Sequence, residues 1–168
     1  KLSELIERLK KTPMNVGSLK RILPSYATFK TLDQITEHRS KVFGKHKCVV
    51  MLIPSNFSKM GHYVCLTRFP KYIEYFSSLG NNFETELQQL NEHLDLFRSL
   101  LGKNYIYNKT KLQSGKYNIN SCGAFVLARA CLAHLKLRDF VQLFQKMSLQ
   151  SADDIVSLMV LLHFVNKE

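Results

Sequence analysis

The sequence predicts an α+β fold: a small, mainly antiparallel sheet packed against a central buried helix, with further helices around it. Three observations carry that expectation. Residues 48–53 form a short apolar run closed by Pro54, the mark of a buried strand. Phe83, Leu87, Leu90, Leu94, Phe97 and Leu101 recur at alternating steps of four and three, the stripe of an amphipathic helix. Residues 122–135, CGAFVLARACLAHL, are apolar on nearly every face, and a helix with so little polar surface lies in a core.

The other elements follow in order. Leu2, Leu5, Ile6 and Leu9 predict a helix over residues 3–11 that ends before Pro13. Residues 12–30 carry Pro13, Gly17 and Pro24 and read as irregular, and residues 31–43 read as another helix. After the strand at 48–53, a loop over 54–61 ends at Gly61 and a second strand runs over 62–68. Pro70 and Lys71 mark a turn, residues 72–77 a third strand, and Gly80-Asn81-Asn82 a further turn. The long helix starts at Phe83 and is ended by Gly102. Residues 104–108 are a short strand candidate, and residues 109–121 are polar and irregular. Helices near 137–147 and 152–165 close the chain, Ser151 with Asp154 giving the capping signal of the last.

A length of 168 residues, 45% hydrophobic and 22% charged, fits one domain over 1–168, divided into a basic N-terminal part (1–47) and a core (48–168). No apolar run reaches the roughly 18 residues of a membrane span. The opening KLSELIERLKK is an amphipathic helix pattern rather than a signal peptide, and Lys1 in place of an initiator Met fits a processed chain. Cys48, Cys65, Cys122 and Cys131 form no C-x-x-C pair and match no zinc spacing, so reduced thiols in an intracellular compartment are expected, with no metal or bound cofactor. A Cys48–Cys65 bridge between neighbouring strands stays open. Net charge is +11, and residues 1–47 hold eleven Lys/Arg against four Asp/Glu, a local excess of +7. That charge favours sequence-independent attraction to nucleic acid, while its scatter argues against base readout.

The residues that suggest chemistry surround Cys122. Asn118-Ile119-Asn120-Ser121 is polar and leads directly into the buried helix, so Cys122 falls in the first turn, where free N–H groups favour a thiolate and lower the thiol pKa. Gly123 is read as leaving space for a substrate beside the sulfur. His62 follows Gly61 at the start of a strand, which puts an imidazole at a sheet edge; the other histidines lie in basic stretches or late in helices. Gln113, nine residues before Cys122 in the polar loop, offers an amide to a developing oxyanion.

The order Gly61-His62-Tyr63, Tyr75-Phe76-Ser77-Ser78-Leu79-Gly80, Leu112-Gln113, Ser121-Cys122-Gly123 resembles the adenain-like and Ulp1-like cysteine proteases, over residues 60–165. The segment from Asn15 to Pro24 is similar to the adenain segment after its first helix. Tyr107-Asn108-Lys109, Arg129 and Phe140 look most like the viral and Polinton/Maverick branch. The resemblance implies a cysteine endopeptidase with nucleophile Cys122, base His62 and oxyanion donor Gln113. It puts Ser77 where the family carries an acid or Asn, and Tyr63 in place of the usual Trp. No acidic residue lies between Tyr75 and Phe83, and Glu74 is expected on the opposite strand face from Ser77, leaving Asn81 and Asn82 as other partners for His62.

The implied substrates are precursor or structural proteins cut at Gly-containing sites during virion maturation. Removal of a ubiquitin-like modifier, and a weakened protease-fold binding module, are the alternatives. Stimulation by DNA or a short peptide, and a place in the host cytoplasm, nucleus or virion, are further implications of the resemblance.

Overall fold

The computed structural model describes residues 1–55, 58–116, 118–147 and 151–166. Its centre is the three-stranded antiparallel meander of β2 (Cys48–Ser55), β3 (Ser58–Arg68) and β4 (Ile73–Ser77). One parallel strand is added at each edge: β1 (Ala27–Lys30) beside β2, and β5 (Ile106–Tyr107) beside β4. The sheet order is β1-β2-β3-β4-β5, so the sheet is mixed rather than mainly antiparallel. A parallel neighbour needs a long crossover. The chain supplies one through α3 (Arg39–Phe43), and another through α4 (Phe83–Glu86) and α5 (Asn91–Leu101).

Strand alternation gives the sheet two buried faces. On one, Tyr63, Cys65 and Phe76 pack with Phe125 and Val126 of α6 (Cys122–Cys131) and with Phe140 of α7 (Leu137–Lys146). On the other, Val64, Leu66 and Tyr75 pack with Phe83, Leu87, Phe97 and Leu101. Each of these side chains contributes roughly 1.5–3 kcal/mol by leaving water. The first core also takes in Leu19 of α2 (Val16–Ile22) and Val156 of α8 (Ala152–Val165). Residues 1–47 therefore belong to the packed structure: β1 is a sheet edge, and α1 (Leu2–Lys11) lies against α8.

The N-terminal part is more ordered than the sequence suggests. The stretch 12–30, read as irregular, holds α2, capped by the Asn15 side chain on Ser18 N–H at 2.8 Å, and then β1. The helix expected at 31–43 is a 3-10 turn at Leu32–Gln34 followed by α3. α6 stops at Cys131 rather than Leu135, where Arg129 turns its guanidinium onto the Leu132 and Leu135 carbonyls.

Two corrections bear on function. His62 does not open its strand: β3 begins at Ser58, and His62 pairs with Ile53 of β2 beside a bulge. Of the loop expected at 54–61, residues 56–57 lie outside the described residues and the rest is strand. The helix expected over 83–101 is two helices. Asn82 caps α4 on Thr85 N–H at 2.9 Å, the turn closes at Leu87, and α5 begins at Asn91. The apolar stripe persists through the break because both helices cover the same sheet face, so periodicity alone does not reveal it.

Candidate active site

Gly61 and Gly80 shape the backbone on either side of the site. Gly61 holds φ +72° inside β3, and a Cβ there would lie 2.8 Å from the Ile53 carbonyl oxygen. His62 follows Gly61 in β3, paired with Ile53 of β2 and beyond the end of the β3–β4 ladder. Gly80 holds φ +75°, with room for its Cβ taken by the 110–111 backbone, so the Gln113 segment crosses directly over the end of β4.

β4 ends at Ser77, and Ser77 and the next residue, Ser78, bond different partners. Ser77 turns to the His62 side, where its Oγ lies 2.9 Å from Nε2 of the ring. The Ser77 hydroxyl donates to Oε1 of Glu86 in a short hydrogen bond, and it accepts from Leu79 N–H at 3.3 Å. With its proton directed at the carboxylate, Ser77 accepts from His62, which puts the ring proton on Nε2 and leaves Nδ1 as the free base. Glu86 Oε1 is itself 3.6 Å from Nε2, and its side chain is 6% exposed. The Asn81 side chain also favours the charged form of this carboxylate. Asn108 fixes the end of β4 by bonding both backbone groups of Ser77, at 3.1 Å and 2.7 Å.

The charge behind His62 is therefore Glu86, at the last position of α4, and Ser77 is the hydroxyl that connects them. Sequence reasoning misses Glu86 because it follows Gly80 by six residues, in what reads as an unbroken helix. The available signal is Asn82, whose capping places a tight helical turn immediately after β4. Of the other candidates, Asn81 supports Glu86, Asn82 serves as the cap, and Glu74 points to the opposite face, where it pairs with Arg129 at 2.8 Å.

Cys122 sits at the first position of α6, half-buried. The backbone N–H groups of Tyr63, Gly123 and Cys122 favour its thiolate form. Among the described residues no hydrogen bond joins the ring to the sulfur in this arrangement. The expected lowering of the thiol pKa is reversed. Burial pushes the Cys122 thiol up from its usual value, the three N–H groups only partly offset this, and the Glu86 charge adds to it. Burial likewise pushes His62 down to about 4 and the Glu86 carboxyl upward. The resting pair at neutral pH is a thiol and an uncharged imidazole. Gly123 does not open space beside the sulfur: a Cβ there would lie 2.7 Å from Met14 Cβ and 3.4 Å from the Tyr63 ring. Tyr63 completes this packing by donating its hydroxyl to the Met14 carbonyl at 2.8 Å.

Gln113 is buried beneath the same corner. The second serine, Ser78, donates its hydroxyl to Gln113 Oε1 at 2.7 Å, and the Ser78 carbonyl accepts from Gln113 N–H at 2.9 Å. Gln113 Nε2 donates to the Ile119 carbonyl at 3.2 Å, three residues before Cys122. One amide hydrogen remains for a further acceptor. A cavity of about 260 Å³, lined in part by Ile53, His62, Asn81, Glu86 and Leu90, opens beside the His62–Glu86 pair.

Neither the known family models nor the curated proteins include a match to this chain. Solved structures of similar outline include the central domain of the uncharacterized Lpg1148 protein from Legionella pneumophila, 17% identical, with a TM-score of 0.47 over 88% of this chain and 93% of that one. Another is the C-terminal Ulp1 protease domain in complex with Smt3, the yeast ortholog of SUMO, 14% identical, with a TM-score of 0.39 over 95% and 75%. A third is the SUMO protease Ulp1 with its catalytic cysteine oxidized to a sulfinic acid, also 14% identical, with a TM-score of 0.36 over 95% and 76%.

Proposed function

We propose that this chain is a cysteine endopeptidase with Cys122 as nucleophile and His62 as general base. The observation that carries the reading is the Glu86–Ser77–His62 chain of hydrogen bonds, in a chain whose Cys122 occupies the first position of α6. Such a series holds the ring in one tautomer and stabilises it once protonated. It also removes the main ground for a weakened binding module, which was the missing acid.

In this mechanism a peptide carbonyl settles over the start of α6. Nδ1 of His62 takes the Cys122 proton as the sulfur attacks the carbonyl carbon. The oxyanion is held by the Cys122 N–H and the free amide hydrogen of Gln113. Glu86, acting through Ser77, balances the imidazolium. His62 then protonates the leaving amine, and a water activated by the same ring releases the acyl group and restores the thiol. Because both partners rest uncharged, proton transfer accompanies attack.

The substrate class follows from the sequence resemblance: structural or precursor proteins of a virus or mobile element, cut at Gly-containing sites, with a protein made in the host cell and packaged in the virion. The charge of +11 supports stimulation by DNA.

The test is proteolysis of Gly-containing peptide libraries by the wild type and by Cys122→Ala. The wild type cleaves, and C122A loses all cleavage with its thermal unfolding unchanged. Cleavage by C122A at the wild-type rate would falsify the assignment. Turnover that is unaffected by DNA and by salt would remove the nucleic-acid element alone.

A further inference from the structure

An oxyanion hole at Cys122 needs two pieces of chain held in fixed relation: the Gln113 segment and the segment ending at the first N–H of α6. Both belong to the irregular stretch before α6, whose described residues form no strand ladder. The Gln113 side chain is anchored at each end, yet its Ile119 anchor lies in that same stretch.

One buried carboxylate joins the two pieces. Asp153, the second residue of α8, is 2% exposed. Its Oδ2 accepts from the backbone N–H of Ser114 at 2.9 Å, and its Oδ1 accepts from the Ser121 hydroxyl in a short hydrogen bond. Ser114 follows Gln113, and Ser121 precedes Cys122. The free N–H groups in the first turn of α8 favour a negative charge there, which offsets part of the cost of burying it. The neighbouring Asp154 reinforces the arrangement from outside. It pairs with Lys10 of α1 at 2.7 Å, and the Lys10 and Lys11 carbonyls bind Asn120 at 2.7 Å and 3.0 Å. A rigid helix thus grips the residues next to the amide donor and next to the nucleophile through a single side chain.

We infer that Asp153 is a positioning residue: it sets the distance between the Gln113 amide and the N–H of Cys122, and so builds the oxyanion hole without touching substrate. The inference rests on the reading of Cys122 as a nucleophile toward carbonyls, and it does not depend on which protein is cut.

The test compares two reactions of Cys122 in the full chain. Acylation by p-nitrophenyl acetate passes through a tetrahedral oxyanion, whereas alkylation by iodoacetamide is displacement at carbon and forms none. In Asp153→Asn, acylation falls by about 10²-fold, the loss typical of a displaced oxyanion donor, while alkylation stays within about threefold of wild type. Ser121→Ala, which removes one of the two bonds and leaves the carboxylate on Ser114, shows the same split with a loss of roughly tenfold, and it reads the effect if Asp153→Asn does not fold. Loss of both reactions together, or of neither, overturns the inference. So does a wild-type acylation-to-alkylation ratio no higher than that of a free thiol, because no oxyanion hole then exists to be positioned. Ester acylation without protein cleavage overturns the peptidase reading alone and leaves this one standing.

Discussion

At Ser77 the charge expected next to the imidazole is displaced outward by one hydroxyl. The series His62–Ser77–Glu86 makes a specific demand on mutagenesis, since groups acting in series are not additive. Glu86→Gln and Ser77→Ala are each expected to lower kcat by about 10²-fold with little change in KM, and the double variant by no more than the worse single. Multiplicative losses would show that the two residues act separately. The protonation states give a second expectation at this scale. Burial raises the Cys122 thiol above its ordinary value and lowers His62 to about 4, which disfavours a thiolate–imidazolium pair near neutrality. Alkylation of Cys122, followed by mass spectrometry of its peptide, should climb steadily through pH 9. A plateau between pH 5 and 8 would mean that the ion pair forms after all.

Elements were legible where one face decides them. The 48–53 run, the residue order of the meander and the apolar helix after Ser121 follow from burial periodicity, and their edges moved by only a few residues. The break between α4 and α5 was not legible: Phe83, Leu87, Leu90 and Leu94 stay on the sheet side whether or not the backbone turns between them. The cost of that blindness was Glu86, whose role depends on where α4 ends. Cys122 could be read because it sits where a polar loop meets a helix, whereas His62 and Gln113 could be read only from their order along the chain, one after Gly61 and the other within a polar loop. Asp153 could not, because only the tertiary fold brings α8 beneath the nucleophile. The seat of α6 on β3 is equally tertiary, and it can be tested at Gly123. Adding a Cβ puts a methyl 2.7 Å from Met14 Cβ. Overpacking of this kind costs about 1–3 kcal/mol, less the roughly 1 kcal/mol that Ala gains over Gly in a helix. Gly123→Ala should therefore lower stability by up to about 2 kcal/mol in urea unfolding. A gain in stability would mean that the Met14 segment yields freely and does not fix the helix.

At the scale of the molecule, the sheet separates two apolar cores, and a buried ion pair ties it to the helix that bears the nucleophile. Glu74 of β4 and Arg129 of α6 meet at 2.8 Å with side chains 2% and 0% exposed. Glu74 also accepts Leu137 N–H at 3.1 Å, while Arg129 holds the Leu132 and Leu135 carbonyls where α6 ends. Among the described residues Arg129 Nε has no hydrogen-bond partner, so the guanidinium is not fully compensated even in the intact pair. A buried pair of this kind adds little beyond what an apolar pair would give, because desolvation consumes most of the attraction, yet removing one member leaves a bare charge in the core. Glu74→Gln is thus expected to destabilise the fold by about 3–5 kcal/mol, whereas Glu74→Leu combined with Arg129→Met costs clearly less than that. Urea unfolding of the three proteins decides the matter. If Glu74→Gln is as stable as wild type, the Leu132 and Leu135 carbonyls alone satisfy Arg129. The sheet and α6 are then joined by apolar packing only, and the position of Cys122 over β3 depends on Tyr63, Met14 and Gly123.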